Sequence, residues 1–142
     1  MISNNKRSIS AQFVVLAAIF GAMGVILGAF GAHALKVGLE QRGMTSVWDT
    51  AVKYQLFHAV ALLALAGWVE ARLAATVQPD APFERATRRI AWLFTGGMVL
   101  FSGSLFLLAL GSPNWVGIIT PFGGLALIAA WVWLGVIAWR IQ

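Results

Sequence analysis

Ala11 to Leu35 reads AQFVVLAAIFGAMGVILGAFGAHAL, a run without a formal charge, interrupted only by Gln12 near its start and His33 near its end. At 1.5 Å per residue, its roughly 25 residues make a helix longer than the ~30 Å hydrocarbon core of a bilayer. Lys6 and Arg7 precede the run, and Ala32-His33-Ala34 has the small-residue spacing of a signal-peptidase site. A signal-peptide core extends over only about 7–15 residues, so the expectation is a retained membrane span rather than a cleaved leader.

The rest of the chain agrees with that reading. It has 142 residues, 60% hydrophobic and 11% charged, with a mean hydropathy of +0.83. Soluble domains carry about 25% charged residues, because water must solvate most of their surface. Three more spans are expected. The second is apolar from Leu56 to Val69, and Ser46 with Asp49 has the spacing of a helix N-terminal capping box, so its helix is placed from Ser46 to Arg72. Asp49 and Lys53, four residues apart, are expected to pair on its first turns. The third, Ile90 to Leu110, ends at the turn formers Gly111-Ser112-Pro113-Asn114. The fourth is placed from Thr120, with its hydroxyl as cap and Pro121 in the first turn, to Ile141. Trp115 to Ile119 would then lie along the interface.

This defines an all-α membrane protein, one four-helix domain over residues 1–142 with spans at about 11–35, 52–72, 90–110 and 120–140. Lys6, Arg7, Arg72, Arg85, Arg88, Arg89 and Arg140 flank the spans on one side, and Lys36, Arg42 and Lys53 on the other. The positive-inside rule therefore puts both termini in the cytoplasm of a bacterial inner membrane. The Thr76 to Pro82 loop falls on the same side, and the uncharged Ser112 to Ile119 loop faces outward. Trp68, Trp92 and Trp139 fall at the inner boundary and Trp48 and Trp115 at the outer one, as an aromatic belt would; Trp131 and Trp133 are mid-span.

Glycine costs helix propensity, and in lipid that cost is offset where helices approach closely. Gly21, Gly24, Gly28 and Gly31 form one stripe down the first span, which the sequence therefore places centrally in the bundle. Gly96, Gly97 and Gly103 on the third span and Gly123 and Gly124 on the fourth are expected to supply facing surfaces. The stripe follows no strand and lacks the G-x-G-x-x-G spacing of a dinucleotide site. Four helices enclose little interior, so a homo-oligomer is compatible with the sequence.

Polar residues inside the spans are lopsided toward the outer leaflet: His33, Tyr54, Gln55, His58, Ser102, Ser104 and Thr120. An unpaired polar group in hydrocarbon costs several kcal/mol, so these should face one another or water. Two readings stay open. They form a hydrogen-bonded clasp that fixes helix register, or they line an outward-open site for a solute, proton or lipid headgroup in which a His titrates. A metal site is disfavoured, since there are two His and Asp49 lies about 13 Å along the helix from His58. With zero Cys, thiolate and iron–sulfur chemistry are excluded. No H-E-x-x-H, G-x-S-x-G or Walker motif is present, so neither an enzymatic activity nor a cofactor is expected. The net charge of +5 is spread over helix ends rather than gathered on an aromatic-studded face, and nucleic acid is not an expected partner.

The segments GAFGAHAL (Gly28 to Leu35), YQLFHAVALL (Tyr54 to Leu63), LFSGSLF (Leu100 to Phe106) and TPFGG (Thr120 to Gly124) resemble the bacterial inner-membrane family catalogued as domain of unknown function 423. The resemblance covers all four spans and implies a small four-helix inner-membrane protein with no assigned activity. By position, Gly28, Gly31, His33, Tyr54, Gln55, His58, Ser102, Gly103, Ser104, Thr120, Pro121, Gly123 and Gly124 match its motif residues. Two positions depart from it. Phe106 stands where the family usually has Tyr, and Ala130-Trp131 where it usually has Gly-Trp. A mechanism needing that phenolic hydroxyl would not operate here.

Overall fold

A Pro, a Gly or a short polar side chain marks most turns of the chain, and the helices run between them. The structure, a computed structural model, describes residues 3–76 and 80–140, with side chains from Ile9 onward. Four long helices, α1 (Ser3–Ala32), α3 (Thr45–Ala75), α4 (Ala81–Ala109) and α5 (Ile119–Arg140), alternate in direction, and a short helix α2 (Lys36–Gln41) links the first pair. Each long helix contains a stretch long and apolar enough to cross a membrane. Among the described residues there is no strand.

Caps explain both ends of α4 and the end of α2. Asp80 accepts from the Phe83 amide at 3.2 Å and Pro82 sits in the first turn, so α4 begins well before the apolar run at Ile90. It ends where Gly111, at φ +97°, lets its own amide reach Leu108 O and the Ser112 amide reach Leu107 O, the paired bonds of a Schellman motif. Gly43, at φ +65°, ends α2 in the same way, through Gly43 N to Glu40 O and Met44 N to Leu39 O.

Several boundaries differ from the sequence expectation. α1 stops at Ala32, because Leu35 N turns back onto Phe30 O and throws His33 to Leu35 into a turn. The Ser46–Asp49 capping box is not formed. The Gly43 turn delivers the chain directly into α3, Met44 is the cap residue and Ser46 O instead accepts the Thr50 hydroxyl at 2.8 Å. Asp49 and Lys53 make no ion pair; among the described residues the ion pair present is Arg72–Asp80 at 3.8 Å. Thr120 is not a cap either, since a 3₁₀ turn, Asn114–Ile118, runs without a break into α5 and takes over the entry. The Thr76 to Pro82 loop is described only in part, and Ile141 lies outside the described residues.

The packing order corrects a larger expectation. α1 packs on α3, α3 on α4 and α4 on α5, so α3 and α4 are central and α1 is peripheral. Gly97 and Gly123 belong to the α4–α5 contact and not to a surface facing α1: a Cβ on Gly97 would lie 2.6 Å from Leu127 Cδ2 and 3.2 Å from Gly123 O. The main core runs from Phe13 and Ala17 through Leu62, Leu65 and Val69 to Ile90, Phe94, Met98 and Leu127. A smaller core of Leu39, Trp48 and Ala109 closes the opposite end under α2.

Candidate functional site

The antiparallel contact of α1 and α3 has one register along its whole length. Gly31 faces Trp48, Gly28 faces Val52, Gly24 faces Leu56 and Gly21 faces Ala59. Two side chains of α3 use this contact to reach the backbone of α1: the Trp48 indole donates to Leu27 O at 3.0 Å, and the Gln55 amide donates to Phe20 O at 2.9 Å. Each acceptor lies four residues before a glycine of the stripe, Gly31 and Gly24. In a helix the carbonyl of residue i lies beneath the side chain of residue i+4, so glycine there leaves its second lone pair open to a donor from outside. These glycines thus allow close approach and also uncover an acceptor. A third bond, Ser10 Oγ to Glu70 Oε2 at 2.6 Å, holds the other end of the same interface.

His58 is buried on α3 and spends both ring nitrogens. Nδ1 lies 2.7 Å from Tyr54 O one turn back, and Nε2 accepts from the Trp131 indole of α5 at 3.2 Å. The two bonds together assign the proton to Nδ1. Aromatic contacts surround the ring, with Phe94 at 5.7 Å and Trp131 at 6.3 Å between centroids. Tyr54, 43% exposed, lies against Phe101 at 4.4 Å and looks outward.

Ser104 and Thr120 join α4 to α5 through hydroxyls 2.7 Å apart, and Ser104 also donates to Phe101 O at 2.9 Å. Ser102 is buried on α4 with its hydroxyl unpartnered. His33 is exposed in the turn after α1. Gly123 presses on α4, where its Cβ would overlap the Phe101 backbone, whereas Gly124 meets the Phe101 ring at an ordinary 3.6 Å. Gly103 has no atom within 4 Å of where a side chain would begin, and the same holds for Gly96.

The seven polar residues therefore do not meet in one place. Gln55 is committed to α1, His58 to α5 and Ser104 with Thr120 to the α4–α5 seam, while His33 stands apart. Trp48, assigned to the outer interface by sequence, is 2% exposed and is a core residue. Sequence reading also missed Trp131 as the partner of His58, the Ser10–Glu70 bond, and Arg42, whose Nε donates to Ala109 O at 3.1 Å. A cation at the free carbonyls of a helix C-terminus satisfies an otherwise unpaired acceptor and the helix dipole together, but this carbonyl belongs to α4, 67 residues along the chain, so no local signal in the sequence marks Arg42 for it.

Chemically the arrangement offers little reactivity. A shallow cleft of about 550 Å³ beside His58, edged by Tyr54, Phe57, Ala61, Ala64 and Trp131, is lined almost wholly by apolar groups. Among the described residues no group of three or more His, Cys, Asp or Glu is placed to share a metal ion.

Comparison with known proteins points one way. The family described as protein of unknown function (DUF423) matches residues 27–124. The UPF0382 membrane protein YwdK of Bacillus subtilis is 38% identical over 89% of this chain and 94% of its own length. A UPF0382 membrane protein of Staphylococcus saprophyticus is 36% identical over 91% of this chain and 98% of its own. The UPF0382 inner membrane protein YgdD of Escherichia coli is 35% identical over 94% and 93%. No solved structure matches.

Proposed function

Since the chain belongs to the family of integral membrane proteins of unknown function DUF423, with UPF0382 relatives along most of its length, we propose that it is a non-enzymatic structural or interaction component of the bacterial inner membrane. In this reading it is a single four-span domain with both termini in the cytoplasm. One observation carries it: the polar groups His58, Gln55, Trp48, Ser104 and Thr120 are each engaged in hydrogen bonds that tie helices together, instead of converging on a cavity. A site for a transported solute or proton needs groups with unspent hydrogen-bonding capacity around one space. His58 has none to spare. The glycine stripe of α1 supports the same reading, because it sets the register in which the Trp48 and Gln55 bonds form. Self-association would use the lipid-facing Gly96 and Gly103, which pack on nothing within the chain.

His58→Ala removes an interhelical hydrogen bond and aromatic packing. It should lower the unfolding free energy in detergent by about 1 kcal/mol or somewhat more, at every pH at which the protein is folded. His33→Ala should leave it unchanged. Circular dichroism melts at pH 5, 6.5 and 8 measure both. A His58 variant as stable as wild type that lost a pH-dependent ligand or flux signal would favour the binding reading and overturn this one.

The topology has its own measurement. With zero native Cys, Arg85→Cys gives a unique thiol. In intact cells it should react with a membrane-impermeant maleimide only after permeabilisation; labelling from outside would reverse the orientation.

A further inference from the structure

α1 and α4 run in the same direction but touch only slightly. A cleft of about 540 Å³ opens between them, lined by Ala11, Gln12, Val15 and Leu16 of α1 and by Ala91 and Trp92 of α4. Trp92 is 61% exposed and the other walls, Gln12 apart, are apolar. Arg88 lies four residues before Trp92 and Arg85 seven, which stacks all three on one face of α4. Both arginines are exposed and neither is in the ion pair present among the described residues; Glu84, one turn before Arg88, does not approach it within bridging distance. Arg88 sits about 6 Å nearer the helix start than Trp92, and the apolar stretch of the parallel α1 begins at Ile9, two residues before the first cleft residue Ala11. Positive charge thus stands on the same face of α4 as Trp92, one and two turns from the cleft toward the start of the apolar stretches, the side on which headgroups would meet hydrocarbon.

We infer that this cleft is a binding site for one anionic phospholipid, its phosphate held by Arg88 and Arg85 and one acyl chain laid between α1 and α4 against Trp92. Guanidinium forks match phosphate oxygens in geometry and charge, and basic pockets between spanning helices on the positively flanked side select anionic headgroups. Apolar walls below the arginines favour a lipid over a free anion. Loose packing of α1 on α4 leaves the space the chain fills. The site makes no use of His58 or Gln55 and stands independently of the role proposed above.

Native mass spectrometry of the full chain tests this, with the protein released from detergent containing equal phosphatidylglycerol and phosphatidylcholine of the same acyl chains. Wild type should retain one phosphatidylglycerol in preference. Arg85→Gln with Arg88→Gln, both on exposed positions, should lower that retention about tenfold or more, and Arg88→Gln alone should lower it in part, whereas Arg140→Gln, a single charge removed at the same end on α5, should not. Val15→Trp, which fills the cleft with the arginines intact, should lower it as well. Excess soluble glycerol phosphate should displace nothing. Undiminished retention in the double Arg variant or in Val15→Trp, an equal loss in Arg140→Gln, equal retention of phosphatidylcholine, or displacement by glycerol phosphate would each overturn the inference.

Discussion

Gly123→Ala should destabilise the protein by about 2–3 kcal/mol, the upper part of the range for forcing a group into a packed interior. The new methyl would fall 2.8 Å from Phe101 Cα and 2.9 Å from Leu100 C. These are backbone atoms of a helix interior and have no rotamer to change, so α4 and α5 must separate. Separation would stretch the 2.7 Å Ser104–Thr120 contact and weaken the Gly97–Leu127 contact on the same seam. Gly135→Ala, on the same helix with nothing within 4 Å, should do the reverse and gain up to about 1 kcal/mol of helix propensity. Denaturant titration in one detergent, read by far-ultraviolet circular dichroism, gives both signs. A Gly123→Ala protein as stable as wild type would mean that the α4–α5 approach is looser than described.

Trp48→Ala should cost about 3–5 kcal/mol, as expected for truncating a fully buried indole. At 2% exposure Trp48 fills the floor of the smaller core under α2, lies edge-on to Phe106 at 4.7 Å and holds Leu27 O by its N–H. Trp48→Phe separates the contributions: it keeps most of the packing and removes the hydrogen bond, so it should cost only about 0.6–1.7 kcal/mol. An interfacial belt tryptophan would behave otherwise, with both variants close to wild type in detergent. The same titration decides between the two.

Trp48 also marks how far the sequence could be read. Four spans, the glycine face of α1 and the Gly111 turn were legible, because each depends on local chemistry: hydropathy over a helix length, glycine spacing and positive φ. The Asp80 cap with Pro82 beside it is local chemistry too, but reading Thr76 to Pro82 as a loop and the third span from Ile90 passed over it. What could not be read was which face meets which. Hydropathy separates lipid-compatible residues from charged ones, but lipid and protein interior are about equally apolar, so a tryptophan near a span end fits either a belt or a core. Trp48 went inward because Gly31 leaves room for its ring. The central placement of α1 failed for a related reason, since a stripe of glycines specifies one close partner and not several. The polar residues scattered because helical spacing aligns Tyr54, Gln55 and His58 only within a sector wide enough for one to point at α1, another at α5 and the third outward.

The spacing of the two α3-to-α1 bonds bears on how the protein is made. Trp48 and Gln55 are seven residues apart, and so are their acceptors, Leu27 and Phe20. A slip of the nascent hairpin by two helical turns would leave one donor without an uncovered carbonyl; a slip of one turn, although Gly28 and Gly21 uncover Gly24 O and Ala17 O, would set Val52 against Val25 in place of Gly28. The first two spans therefore carry their own alignment gauge and can lock before α4 leaves the insertion machinery. Arg42, which has to wait for the carbonyl at the end of α4, then marks the later arrival of the second pair.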